Sequence, residues 1–174
     1  TNTVEEGSGL TAGGTVTIAG GTSAANTITG SVVNAGTGVE IEGLTNEITD
    51  AGITSATGDV TLTAAESNTI SESALTASEG SINVNGGDST ETVNSVEGSI
   101  LTADEDVAIT GKSNGLASSS VTADTGDVSI TAAESNSLTN VAVEATAGNV
   151  TLAGTTTNTV EEGSGLTAGG TVTI

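Results

Sequence analysis

Carboxylates are the side chains best able to do chemistry in this chain. They number 22, against one cation, Lys112, for a formal net charge of −21. Asp104-Glu105-Asp106 is the densest run, followed by Glu5-Glu6 and Glu161-Glu162. Clustered carboxylates are what calcium takes as ligands, and two held at a set separation carry out glycoside hydrolysis. No stretch matches an EF-hand loop or a GGxGxD calcium repeat. A lyase would also want a cation beside its base, and only Lys112, expected in a turn after Ile109, is on offer. Serine is abundant, but there is no His to activate it. The residues therefore argue against an enzyme, a resident cofactor or a dedicated metal site. They favour solvated turn acids, with calcium as a non-specific counterion. Acids stacked coil on coil would repel, so salt or divalent cations should raise the melting temperature.

The most regular polar residue is asparagine. Asn26, Asn46, Asn68, Asn114, Asn136 and Asn158 each stand two residues before an apolar marker, and Glu91 takes that place once. Amides repeated at one coil position would stack inside a turn, each bonding the next and the backbone, so that no buried polar group is left unpaired. A polar binding stripe on the outside is the alternative.

The elements that position these residues are short and periodic. An apolar-x-apolar triplet recurs at Val16/Ile18, Val39/Ile41, Val60/Leu62, Ile82/Val84, Val107/Ile109, Val128/Ile130, Val150/Leu152 and Val172/Ile174. Such alternation is a half-buried strand, and the Gly-Asp or Gly-Asn before it, as at Gly58-Asp59 and Gly148-Asn149, is a turn. The apolar markers after the asparagines are Ile28, Ile48, Ile70, Val93, Leu116, Leu138 and Val160. A third set follows at Val33, Ile53, Leu75, Leu101, Val121, Val143 and Leu166. Each repeat of about 22 residues thus carries three brief strands, none longer than a few residues. Such a unit buries its apolar side only by stacking on its neighbours. The expected fold is all-β: a right-handed parallel β-helix, or β-solenoid, its handedness resting on coil length and on the resemblance described below. The longest coil, between Ile82 and Val107, should carry its extra residues around Asn94–Ser99. A flat Thr-x-Thr array of the kind that binds ice is not met beside the triplets, where the outward pairs run from Thr15/Thr17 through Gly38/Glu40 to Asp106/Ala108.

A longer period contains the short one. Residues 1–18, TNTVEEGSGLTAGGTVTI, return unchanged at 157–174. Residues 1–156 then form one repeat of seven coils, 157–174 open the next, and 1–174 is a single continuous solenoid segment. At the interstrand spacing of about 4.8 Å, seven coils rise about 34 Å. The opening Thr1 fits an excised or mature piece of a longer tandem array.

Composition narrows the partners. There is no Phe, Tyr, Trp, Met, Cys, Pro or His, so the interior must be a thin one of Val, Ile, Leu and Ala. No basic patch exists to meet phosphates, so nucleic acid is not an expected partner, nor is an anionic membrane surface. No run approaches the ~18 apolar residues of a membrane span.

The stretches GSGLTAGGTVTIAG (Gly7–Gly20) and SALTASEGSINV (Ser73–Val84) resemble the repeats of filamentous haemagglutinin-like large exoproteins of bacteria. The resemblance covers essentially the whole chain. It implies a right-handed β-helix shaft, secreted to or beyond the cell surface and serving adhesion or matrix roles. The near-identity of 156-residue units is similar to giant repetitive surface fibres. The expected function is therefore the structural shaft of an extracellular filament, its partners being further copies of the repeat, joined covalently or end to end. An adhesin or carbohydrate-binding module, with host or matrix glycans as ligands, is the alternative.

Overall fold

The structure, a computed structural model, describes residues 1–86 and 91–174. Its strands pair in parallel, coil upon coil, as the periodicity requires. The triplets stack in register: Val16 on Val39, Val39 on Val60, Val60 on Ile82, Ile82 on Val107, and so on through Val128 and Val150 to Val172. A second face carries the asparagines. A third, built from four-residue strands such as Gly9–Ala12, Ile100–Ala103 and Gly165–Ala168, is an eight-stranded sheet of its own. The chain is a β-solenoid of three-sided coils. Among the described residues the one helical piece is a 3-10 turn, Gly21–Ser23.

The triplet and asparagine faces belong to one bent sheet. The strands Gly38–Thr49, Val60–Ser71, Val107–Ala117 and Val128–Thr139 run straight through the corner between them and reach 11 or 12 residues. The three brief strands expected per coil are therefore two in these coils. The reason is local: where only one or two residues make the corner, Leu44 against Ala65-Glu66 and Lys112 against Ala133-Glu134, the extended backbone carries through, and the mismatch is a bulge seen as a register shift between Gly43 and Thr45 and between Gly111 and Ser113. Lys112 accordingly sits inside a strand, not in a turn.

One coil corrects the sequence reading. Val93 is 46% exposed, whereas Val96, 1% exposed, is the marker that pairs with Ile70 and Leu116. The place given to Glu91 belongs to Asn94, which pairs with Asn68 and Asn114. The extra residues precede Asn94 and do not follow it. Six residues, 87 to 92, separate Gly86 from Val93, where the coil before has two between Ala64 and Ser67.

The core lies along the axis. Ile41, Ile48, Ile53, Leu62, Ile70, Leu75, Ile109, Leu116 and Ile130 are fully buried, each stacked on a Val, Ile or Leu of the coils on either side. Small residues, Ala35, Ser55, Ala77, Ala103, Ala123 and Ala145, fill the narrow end where the third face turns back toward the triplets. Interiors pack densely when side chains match the space, and here Val, Ile and Leu with the small residues at the narrow end make that match.

In the six inner coils the corner from the asparagine face to the third face repeats one conformation: Gly30, Asp50, Glu72, Gly98, Ser118 and Asn140 have positive φ, between 49° and 58°. In the first and last coils the corner is one residue longer, with Gly7 and Gly163 at φ 76° and 85°. Glu72 and Ser118 hold a left-handed conformation that disfavours their side chains, whereas Asp50 and Asn140 are of types that visit it.

Candidate functional site

The asparagines meet inside the solenoid. Nδ2 of each donates to Oδ1 of the next: Asn2 to Asn26 at 2.9 Å, Asn26 to Asn46 at 2.8 Å, Asn46 to Asn68 at 2.9 Å and Asn68 to Asn94 at 2.9 Å. The chain of amides continues from Asn94 to Asn114 at 2.8 Å, then to Asn136 and Asn158 at 2.9 Å each. The second N–H of the amide donates to a carbonyl of the following coil, as from Asn26 to Glu42 O (2.9 Å), Asn94 to Thr110 O (2.9 Å) and Asn136 to Ala153 O (2.8 Å). Those carbonyls stand at the bend between two faces, and the amide adds a bond across it: Glu42 O accepts from Gly20 N–H at 2.7 Å as well as from Asn26. Asn26, Asn46, Asn68, Asn94, Asn114 and Asn136 are at most 1% exposed, and among the described residues no buried side-chain nitrogen or oxygen lacks a partner.

Asn26, Asn46, Asn68, Asn114, Asn136 and Asn158 all stand in this one column. Sequence reasoning missed Asn2 and Asn94. Asn2 was visible as the copy of Asn158 one 156-residue period earlier. Asn94 has its own signal, a buried Val two residues on, but a loop counted on the wrong side of it hid the match. Two other polar columns also went unread. Ser31, Ser73, Ser99 and Ser119 line the left-handed corner, where Ser99 Oγ accepts from Ser73 N at 3.1 Å and Ser119 Oγ from Ser99 N at 3.1 Å. At the turn into the triplets, Asp59 Oδ1 accepts from Ser81 N (2.8 Å), Asp106 Oδ1 from Asp127 N (2.7 Å) and Asp127 Oδ1 from Asn149 N (2.7 Å). These aspartates are caps, each binding the backbone of the coil above.

At the turns acids of adjacent coils stack, Asp106 against Asp127 and Asp50 against Glu72, but in the strands they are placed apart. Within strands, Glu40 lies between Thr17 and Thr61, Glu42 between Ala19 and Thr63, and Glu47 between Thr27 and Thr69. Glu97 lies between Ser71 and Ala117, and Glu144 between Thr122 and Thr167. The ladder of stacked acids expected from the charge is absent from the described strands, because a residue on the face stands about 4.8 Å from its neighbours above and below and every such neighbour here is uncharged. Among the described residues no group of three or more His, Cys, Asp or Glu is placed to hold a metal ion. Lys112 Nζ lies 3.8 Å from Glu134 Oε1, both half-exposed, a pairing that contributes little.

The last rung is the least buried. Val160, Val172 and Ile174 are 38%, 41% and 68% exposed. A concavity of about 450 Å³ beside them is lined by Leu152, Asn158, Thr173 and Ile174 among others. It is the space a further coil would fill. No family model matches the chain, and no curated protein or solved structure does.

Proposed function

We propose that the chain is a segment of the shaft of an extracellular filament or giant surface fibre, built from tandem 156-residue units whose coils stack without interruption. One observation carries this reading: the amide column passes through every coil, and the rung at 157–174 repeats the rung at 1–18 letter for letter. Because seven coils return the chain to the same residues in the same register, unit can follow unit with core, amide column and left-handed corners all continuous. The core supplies cohesion along the axis, and the outward acids keep the sides soluble.

The test is the length of a chain extended by one more 156-residue unit. Imaged by cryo-electron microscopy, it should be one straight rod about 34 Å longer, with a layer line near 4.8 Å. Two rods joined by a hinge, or a rod no longer than before, would overturn the shaft reading. Native material should show the same axial repeats.

A further inference from the structure

The third face differs from the other two in charge. Among the described residues its eight four-residue strands hold one charged side chain, Glu144. The strands of the bent sheet carry Glu40, Glu42, Glu47, Glu66, Glu97 and Glu134, and the other described acids lie outside the strands. The third face is also the most regular, its strands stacking in register through every coil without a shift. Outward it shows two columns. One is rich in hydroxyls, with Thr54, Thr76, Thr102 and Thr122 stacked in succession. The other varies in size: Val32 stands between Gly9 and Gly52, and Ile100 between Ala74 and Ser120. Val32 and Ile100 are 49% and 55% exposed. They are apolar knobs, each with a smaller residue on either side, in a lane almost free of carboxylates.

We infer that two shafts pair side by side, each laying its third face on the third face of the other. This rests on the shaft reading. A chain with 22 acids and one cation repels its own copy wherever carboxylates line the contact, and the third face is where they do not. The period selects a copy as the occupant. The face recurs every 156 residues, Gly9 and Thr11 returning as Gly165 and Thr167, so a partner that fits along the whole length must share that repeat. A two-fold axis lying in the face along the strand Gly52–Ser55 turns one shaft antiparallel to the other. Counted in coils from that axis, Val32 meets Ala74 of the copy and Ile100 meets Gly9, so no large side chain opposes another. Asp50 and its symmetry mate flank the axis at the corner, so salt favours the pairing. A four-residue strand spans about 13 Å and seven coils rise about 34 Å, so one unit offers about 450 Å². A stable interface buries about 800 Å² on each partner, so firm pairing takes two units in line.

Sedimentation velocity tests this on the 174-residue chain and on the chain extended by one 156-residue unit, both in 1 M NaCl, where the screening length falls to about 3 Å. The extended chain should dimerise, with an association constant roughly 100-fold above that of the shorter one. Ile100→Asp, made in both units, sets a carboxylate into the lane and should return the extended chain to monomer with its melting temperature little changed. Val93→Asp is the control. Val93 is as exposed as Val32 but lies on the asparagine face, and its replacement should leave the dimer intact. An extended chain that stays monomeric, a dimer that ignores Ile100→Asp, or one lost equally with Val93→Asp overturns the pairing. Cryo-electron microscopy of the same extended chain separates the two readings. A straight rod that stays unpaired sinks the pairing alone, and a hinged rod sinks both.

Discussion

Two corners of the coil follow opposite rules. The number of residues between the triplet and asparagine strands varies, from one at Leu44 and Lys112 to six between Gly86 and Val93, yet the asparagine that follows is always the same. The corner from the asparagine face to the third face keeps one length and one backbone conformation in the six inner coils, yet the residue adopting it is Gly, Asp, Glu, Ser or Asn. The first corner is held by side-chain chemistry: an amide that bonds the next amide and a carbonyl can bridge a bend of any length. The second is held by backbone geometry and asks only that the residue tolerate positive φ. Variation is accepted at each corner in whatever the other kind of restraint does not touch.

The largest break in this contrast should come from Asn114→Leu. It leaves Asn94 Nδ2 without its acceptor and Asn136 Oδ1 without its donor, and it removes the bond from Asn114 Nδ2 to Thr131 O. Each buried orphan costs about 1–3 kcal/mol, so chemical denaturation should show a loss of about 4 kcal/mol. A loss under about 1 kcal/mol would mean the column does not hold the bend.

A smaller but more discriminating effect should come from moving one insertion. Four residues, Gly-Ser-Gly-Ser, placed between Ala65 and Glu66 lengthen a corner that already varies, and should cost less than about 1 kcal/mol of loop-closure entropy. The same insertion between Ser118 and Ser119 disrupts the left-handed turn and the Ser99 N to Ser119 Oγ bond. It should cost about 3 kcal/mol or more. Equal losses at the two sites would erase the distinction between the corners.

The smallest effects have opposite signs. Gly98→Ala should destabilise by about 1 kcal/mol through its φ of 58°, since its added Cβ meets nothing closer than 3.6 Å. Glu72→Gly should stabilise by about 0.5 kcal/mol, relieving φ of 49° at some entropic cost to the unfolded chain. Thermal melts of the pair decide whether conformation alone governs this corner. Changes of the same sign would show that side-chain contacts govern it instead.

The sequence alone determined the architecture. The triplets from Val16/Ile18 to Val172/Ile174 stack in the register their spacing implied, because alternation places every second residue on one face and a 22-residue unit has no way to bury that face except against its neighbours. The column of Asn26, Asn46, Asn68, Asn114, Asn136 and Asn158 was legible for the same reason: one residue type at one distance from an apolar marker. Tertiary structure decided what spacing could not. Counting from Ile82 made Val93 look equivalent to Ile70, and only the pairing of Val96 and Asn94 with the coils on either side showed on which side of them the extra residues fall. The separation of the acids was hidden likewise, since Glu40 and Thr61 are neighbours only once the register is known. The left-handed corners left only a partial residue-type signal: Gly30, Asp50, Gly98 and Asn140 are of types that visit positive φ, but Glu72 and Ser118 take it under the hold of the coils around them rather than by their own preference. A periodic sequence declares which residues face inward, but which residue lies above which is set by hydrogen bonds between coils more than twenty residues apart.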